Sequence, residues 1–110
     1  PQDLAGITLL HDHSEETWSR WLLEAGHQNL EDRRNIYFDS AHMALEAARA
    51  GYGVAMGDRP TVQHDLREGR LIRLFDHSVP AIHPYYIDTP PLEHMKPATK
   101  ALEAWLVDQF

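Results

Sequence analysis

His11-Asp12-His13-Ser14 puts two imidazoles, a carboxylate and a hydroxyl into consecutive positions. Those are the groups of a zinc site, and also of a serine nucleophile with its base. A metal, however, needs three or four convergent ligands with supporting partners, and the other histidines of the eight in the chain are scattered. A nucleophilic serine needs a base that faces it, and Ser14 lacks the elbow pattern that presents one. The sequence therefore predicts no catalytic residue, no metal site and no cofactor, and it reads these histidines as solvated loop residues. The absence of cysteine removes thiolate chemistry and disulfides.

Binding chemistry has more to work with. Asp39-Ser40 opens a helical stretch, where unpaired backbone N–H groups and the positive dipole end suit an anion or a polar ligand. Simple capping accounts for Ser40 equally well. Met56-Gly57-Asp58 follows an apolar burst; glycine permits close approach to the backbone and the acid can hold an amine. A strand-to-helix turn with a solvated Asp58–Arg59 pair explains the same residues. In "HPYYIDT" a strand would send Tyr85 and Tyr86 to opposite sides, so at most one of them lines a cleft. Asp39, Ser40, Met56, Gly57, Asp58 and Tyr85 are the candidate ligand contacts.

These residues need elements to hold them. "ITLLH" (Ile7 to His11) reads as a buried strand. Trp18, Trp21, Leu22 and Ala25 then fall on one helical face, with Ser14 as the expected N-cap and Gly26 as the stop. "NIYF" (Asn35 to Phe38) is a second strand, and Ser40 caps a helix running through Ala50 to the terminator Gly51. "GVAM" (Gly53 to Met56) is a third strand, and a helix starting near Pro60 ends at Gly69. "LIRLF" (Leu71 to Phe75) and "HPYYIDT" (His83 to Thr89) read as two more strands. Pro97 lies near the start of a last helix, whose Ala98, Ala101, Leu102, Trp105 and Leu106 keep helical spacing. The alternation predicts an α/β fold: a mainly parallel sheet flanked by helices, with ligands collecting beyond the carboxyl ends of the strands.

Composition narrows the classes. A chain of 110 residues with 43% hydrophobic and 25% charged residues has room for one modest folded domain. The net charge of −7 opposes binding to a nucleic acid backbone by this segment alone. No apolar run is long enough to span a bilayer, and no basic-then-apolar leader opens the chain, so cytoplasm is the default location and no membrane partner is expected. The opening Pro-Gln-Asp-Leu lacks a methionine, which reads as a processed start or an excised piece.

"FDSAHMALEAARAGYGVAMGDRPTVQHDLREGRLIRLF", followed by "YYIDTP" and "PATKALEAWL", resembles the effector-binding domain of LysR-type transcriptional regulators. The specificity lies in the order of these motifs, which cover nearly the whole chain, and not in any one of them. The resemblance implies a partial periplasmic-binding-protein-like (type II) effector domain. Residues 1–88 would be the second subdomain, and residues 89–110 a return segment and helix directed toward a first subdomain. It further implies a small-molecule effector held between the subdomains, no enzymatic activity, a homodimer or higher homo-oligomer, and contact with promoter DNA only through an N-terminal winged helix-turn-helix that has no counterpart here. A lobe of a transport-type solute-binding protein is the alternative; it shares the fold but requires export.

Overall fold

In the computed structural model, which describes residues 1–27 and 34–109, the run Thr8–His11 (β1) is the central strand of a three-stranded parallel sheet. Its neighbours are β2 (Arg34–Tyr37) and β3 (Val54–Ala55), in the order β2-β1-β3. Leu10 lies opposite Ile36 on one side and Ala55 on the other. A central parallel strand is covered on both faces, which is why the consecutive residues Leu9, Leu10 and His11 are all buried.

Successive side chains of β1 point to opposite faces, and each face has its own helix. Leu9 joins Leu4, Trp18, Trp21 and Leu22 in one buried cluster, three of whose members come from α1 (Glu16–Glu24). The indole nitrogens are satisfied: Trp18 donates to the Leu10 carbonyl at 2.9 Å and Trp21 to the His77 carbonyl at 3.2 Å. Those bonds let two large polar-tipped rings enter the core without a stranded donor. Helix α2 (Ala41–Arg49) packs on β1 and β3 with Ala44 and Leu45 buried. It ends where Gly51 takes φ 83°, and the Tyr52 amide bonds back to the Ala47 carbonyl, turning the chain into β3. Helices α3 (Arg59–Arg67) and α4 (Pro97–Gln109) complete the order.

The parallel α/β architecture agrees with the sequence reading, and several details differ. Helix α1 starts at Glu16 with Glu15 at its N-cap, not Ser14. The Ser14 amide is turned onto Asp12 Oδ1 at 3.2 Å, so an Asp-led turn precedes the helix. Strand β2 begins one residue earlier than expected, and β3 is reduced to two residues.

Leu71–Phe75 and His83–Thr89 are not strands. An apolar, β-branched run becomes a strand only when a neighbour takes its backbone hydrogen bonds, and neither segment belongs to the sheet. The outer edge of β3 instead faces a groove of about 1190 Å³, whose walls include Val54, Met56, Leu66, Leu71 and Phe75. Outside a strand, Tyr85 and Tyr86 do not alternate between a cleft and a core: both are exposed, at 69% and 80%. On α4, Leu102 and Trp105 of the helically spaced face are exposed as well, while Leu106 beside them is half-buried.

Candidate functional site

A parallel sheet gathers the loops that follow its strands at one edge. Asp12–Ser14 follow β1, Phe38–Ser40 follow β2 and Met56–Asp58 follow β3. With β1 in the middle, the N-termini of α2 and α3 flank the end of the central strand. Each is capped by its own side chain. Ser40 Oγ accepts from the Met43 amide at 3.3 Å, and Asp58 Oδ1 accepts from the Thr61 amide at 2.9 Å. Both residues adopt the extended backbone of an N-cap, and Pro60 occupies the first turn of α3, where its missing N–H costs nothing.

Asp58 does more than cap. Its second oxygen, Oδ2, accepts from the Tyr85 hydroxyl at 2.6 Å, and that hydroxyl lies 3.4 Å from Thr61 Oγ1. Partial burial pushes the Asp58 carboxyl up, but the hydrogen bonds from Thr61 and Tyr85 outweigh it and hold the carboxyl below its usual range. The structure thus joins two candidates, Asp58 and Tyr85, that lie 27 residues apart in sequence.

The other candidates serve packing or stand alone. Met56 is half-buried against the Trp18–Trp21–Leu22 cluster, so its side chain is committed to the core. At Gly57 an added Cβ would fall 2.5 Å from Val62 Cγ1, so glycine is needed there to seat α3 on the strand end, whether or not a ligand comes near. Asp39 is exposed just ahead of the Ser40 cap.

Two arrangements escaped the sequence reading. His11, the last residue of β1, is buried; its Nε2 lies 2.8 Å from Asn35 Oδ1 and its ring stacks on Tyr37 at 4.6 Å between centroids. Tyr37 in turn bonds to Glu15 at the start of α1. His11 is thus a packed core residue, not a loop histidine. Asp65 is buried on α3 and holds Arg49 of α2 with one oxygen and Arg70 with the other. Those two guanidinium groups lower the Asp65 pKa against the opposing effect of burial, and Asp65 raises that of Arg49 in return. Separations of 16 and 5 residues leave no periodic signal for such a clamp. Among the described residues no group of three or more His, Cys, Asp or Glu is arranged for a metal ion. No helix among them is long and apolar enough to cross a membrane.

A parallel α/β half-sheet with two capped helix N-termini at its carboxyl edge belongs to the class of ligand-cleft folds. The sequence model of the LysR substrate binding domain matches residues 1–110, and the chain belongs to that family. It is 29% identical to the HTH-type transcriptional activator AmpR of Enterobacter cloacae, over 100% of this chain and 38% of AmpR. With the glycine cleavage system transcriptional activator of Escherichia coli K12 it shares 31% identity over 79% of this chain and 28% of that protein. With the HTH-type transcriptional regulator DsdC of the same strain the identity is 36%, over 97% of this chain and 36% of DsdC. Among solved structures, a Citrobacter freundii effector-binding domain carrying three amino acid substitutions superposes with a TM-score of 0.68 at 27% identity. That match covers 98% of this chain and 55% of the other. The chain therefore spans well under half the length of these curated relatives. The family is one of transcription regulation, and the fold is the type II periplasmic-binding-like fold of LysR effector domains.

Proposed function

We propose that this chain is the ligand-sensing part of a LysR-type transcriptional regulator, forming one wall of a cleft that takes a small-molecule inducer. The observation that carries the reading is the pair of capped helix N-termini at Ser40 and Asp58, which follow the two outer strands and flank the end of β1 at the carboxyl edge of the sheet. Such ends present oriented backbone N–H groups to a polar or anionic ligand. Asp39, Ser40, Gly57, Asp58 and Tyr85 are the contacts at this edge, with Met56 supporting them from the core.

Residues 1–88 act as the second subdomain and residues 89–110 as the return segment toward a first one. Ligand binding shifts the balance between two relative postures of the subdomains, and that shift alters how attached DNA-binding domains sit on a promoter. The protein works as a homodimer or larger homo-oligomer in the cytoplasm, where promoters are, and performs no chemistry on its ligand.

Calorimetric titration of the full-length regulator with amino acids, aromatic acids and cell-wall fragments tests the reading. One ligand class is expected to bind, and Ser40→Ala is expected to weaken it. If no class binds and the regulator engages no promoter, the reading falls.

A further inference from the structure

We infer that the hydrogen bond from Tyr85 to Asp58 is the latch that holds the strap of residues 83–89 against the first turn of α3, ahead of the separate anchor at the buried Met95. Residues 83–89 join no sheet. Tyr85 and Tyr86 are 69% and 80% exposed, so apolar burial of the two rings fixes this strap only weakly. The Tyr85 hydroxyl, by contrast, donates to Asp58 Oδ2 at 2.6 Å, a charge-assisted bond of the short, strong kind.

The acceptor is aimed before the strap arrives. Asp58 Oδ1 is tied to the Thr61 amide as the cap of α3, which fixes the carboxylate plane and leaves Oδ2 for the phenol. Thr61 Oγ1, at 3.4 Å, steadies the hydroxyl from the other side. Beside this contact lies a hollow of about 540 Å³ walled by Pro60 and Thr61 of α3, by Tyr85, Tyr86 and Ile87 of the strap, and by Leu106 and Val107 of α4. The first turn of α3, the strap and the end of α4 therefore meet there, and the latch sits at their junction.

Asp58 and Tyr85 thus act as positioning residues, and the same pair stands at the edge proposed above for the effector. A ligand that displaces the Tyr85 hydroxyl from Asp58 Oδ2 breaks this bond, which converts occupancy into movement of the strap. This consequence rests on the sensing reading; the latch itself does not.

Hydrogen–deuterium exchange on the ligand-free full-length regulator tests it, in wild type, Tyr85→Phe, Asp58→Asn and the double variant. Asparagine remains a good N-cap, so Asp58→Asn spares α3 while weakening the acceptor. Either single variant is expected to raise exchange in the peptide spanning residues 83–96 by about three- to tenfold, the range for a hydrogen bond to a charged group that is partly exposed. The double variant is expected to add nothing further, and the β1 peptide is expected to be unchanged. Unaltered exchange in the strap, a double variant equal to the product of the singles, or an equal rise in β1 each overturns the latch. Should Asp58→Asn not fold, Tyr85→Phe alone decides, since it removes one hydroxyl from an exposed ring. No ligand is added, so failure of the latch and failure of the sensing reading are separate results.

Discussion

Arg49 reaches from the last turn of α2 to the buried carboxylate of Asp65 on α3, donating through Nε at 2.8 Å and through Nη2 to the same oxygen. Arg70, just beyond α3, takes the other oxygen at 2.7 Å. One acid thereby ties together two helices and the turn that starts toward Leu71. A buried carboxylate is tolerated only when its charge is met in this way.

Asp65→Ala leaves the Arg49 guanidinium, half-buried, without its main partner, so it should lower the urea midpoint more than Arg70→Ala does. Arg70 is nearly half exposed and can turn to water. The pH dependence has a fixed sign. The folded-state pKa of Asp65 is depressed, so its contribution is complete above the ordinary carboxylate value of about 4 and disappears as pH falls through the lower folded value. Urea midpoints measured from pH 6 downward should fall below about pH 4, and should fall less in Asp65→Asn. Equal acid sensitivity in the two proteins would remove Asp65 as a source of it.

Ser40 separates two roles that coincide in one hydroxyl. Ser40→Ala removes the cap on Met43 N and should cost about 1 kcal/mol of stability. Ser40→Asp keeps a capping oxygen and complements the helix dipole, so stability should hold. It also sets a negative charge where an anionic or polar effector would sit. Calorimetric binding lost in Ser40→Asp, with an unchanged denaturation curve, would identify this helix end as a ligand contact. Intact binding in both variants would reduce Ser40 to a cap.

The parts of the fold visible in the sequence are those that local chemistry decides. Ser40 and Gly51 mark the ends of α2 because a cap and a left-handed terminator depend on neighbouring backbone only. The adjacent Leu9 and Leu10 of β1, apolar without alternation, mark a strand covered on both faces. Leu71–Phe75 shows where such reading stops, since its apolar residues report a tendency to be buried but not who supplies the hydrogen bonds. Asp58–Tyr85 and Arg49–Asp65 were hidden for a related reason: each joins residues whose meeting depends on how whole elements pack. His11 ends the strand expected over Ile7 to His11, but a histidine at a strand end carries no mark of the Tyr37 ring that stacks on it.

Gly53 is required by the sheet itself. A Cβ at this position would lie 2.4 Å from the Thr8 carbonyl oxygen, a backbone atom of the central strand that cannot swing aside. Gly53→Ala should therefore push β3 away from β1 and cost about 1–3 kcal/mol, the usual range for overpacking. At Gly57 the nearest obstacle is the Val62 side chain, at 2.5 Å, which can be trimmed. Gly57→Ala should be destabilising alone and largely rescued by Val62→Ala, whereas no side-chain truncation should rescue Gly53→Ala. Thermal denaturation of wild type, the two alanine variants, Gly57→Ala with Val62→Ala and Gly53→Ala with Leu10→Ala, each double beside its own truncation alone, checks both statements.

The exposed face of α4 bears on association. Leu102 and Trp105, three residues apart and therefore on one face of the helix, are 56% and 58% exposed. Contiguous apolar surface of this kind is covered in stable soluble assemblies, because leaving it in water forfeits about 25 cal/mol for each Å². The 110-residue chain on its own should therefore sediment as a dimer or larger species at tens of micromolar. Trp105→Glu introduces a charge that cannot be buried without a partner, so it should shift the chain toward monomer. The far-ultraviolet dichroism should change little, since Trp105 makes no contribution to the buried core. A wild-type chain that sediments as a clean monomer, or a Trp105→Glu chain that associates as strongly as wild type, would show that this face is not what joins the copies.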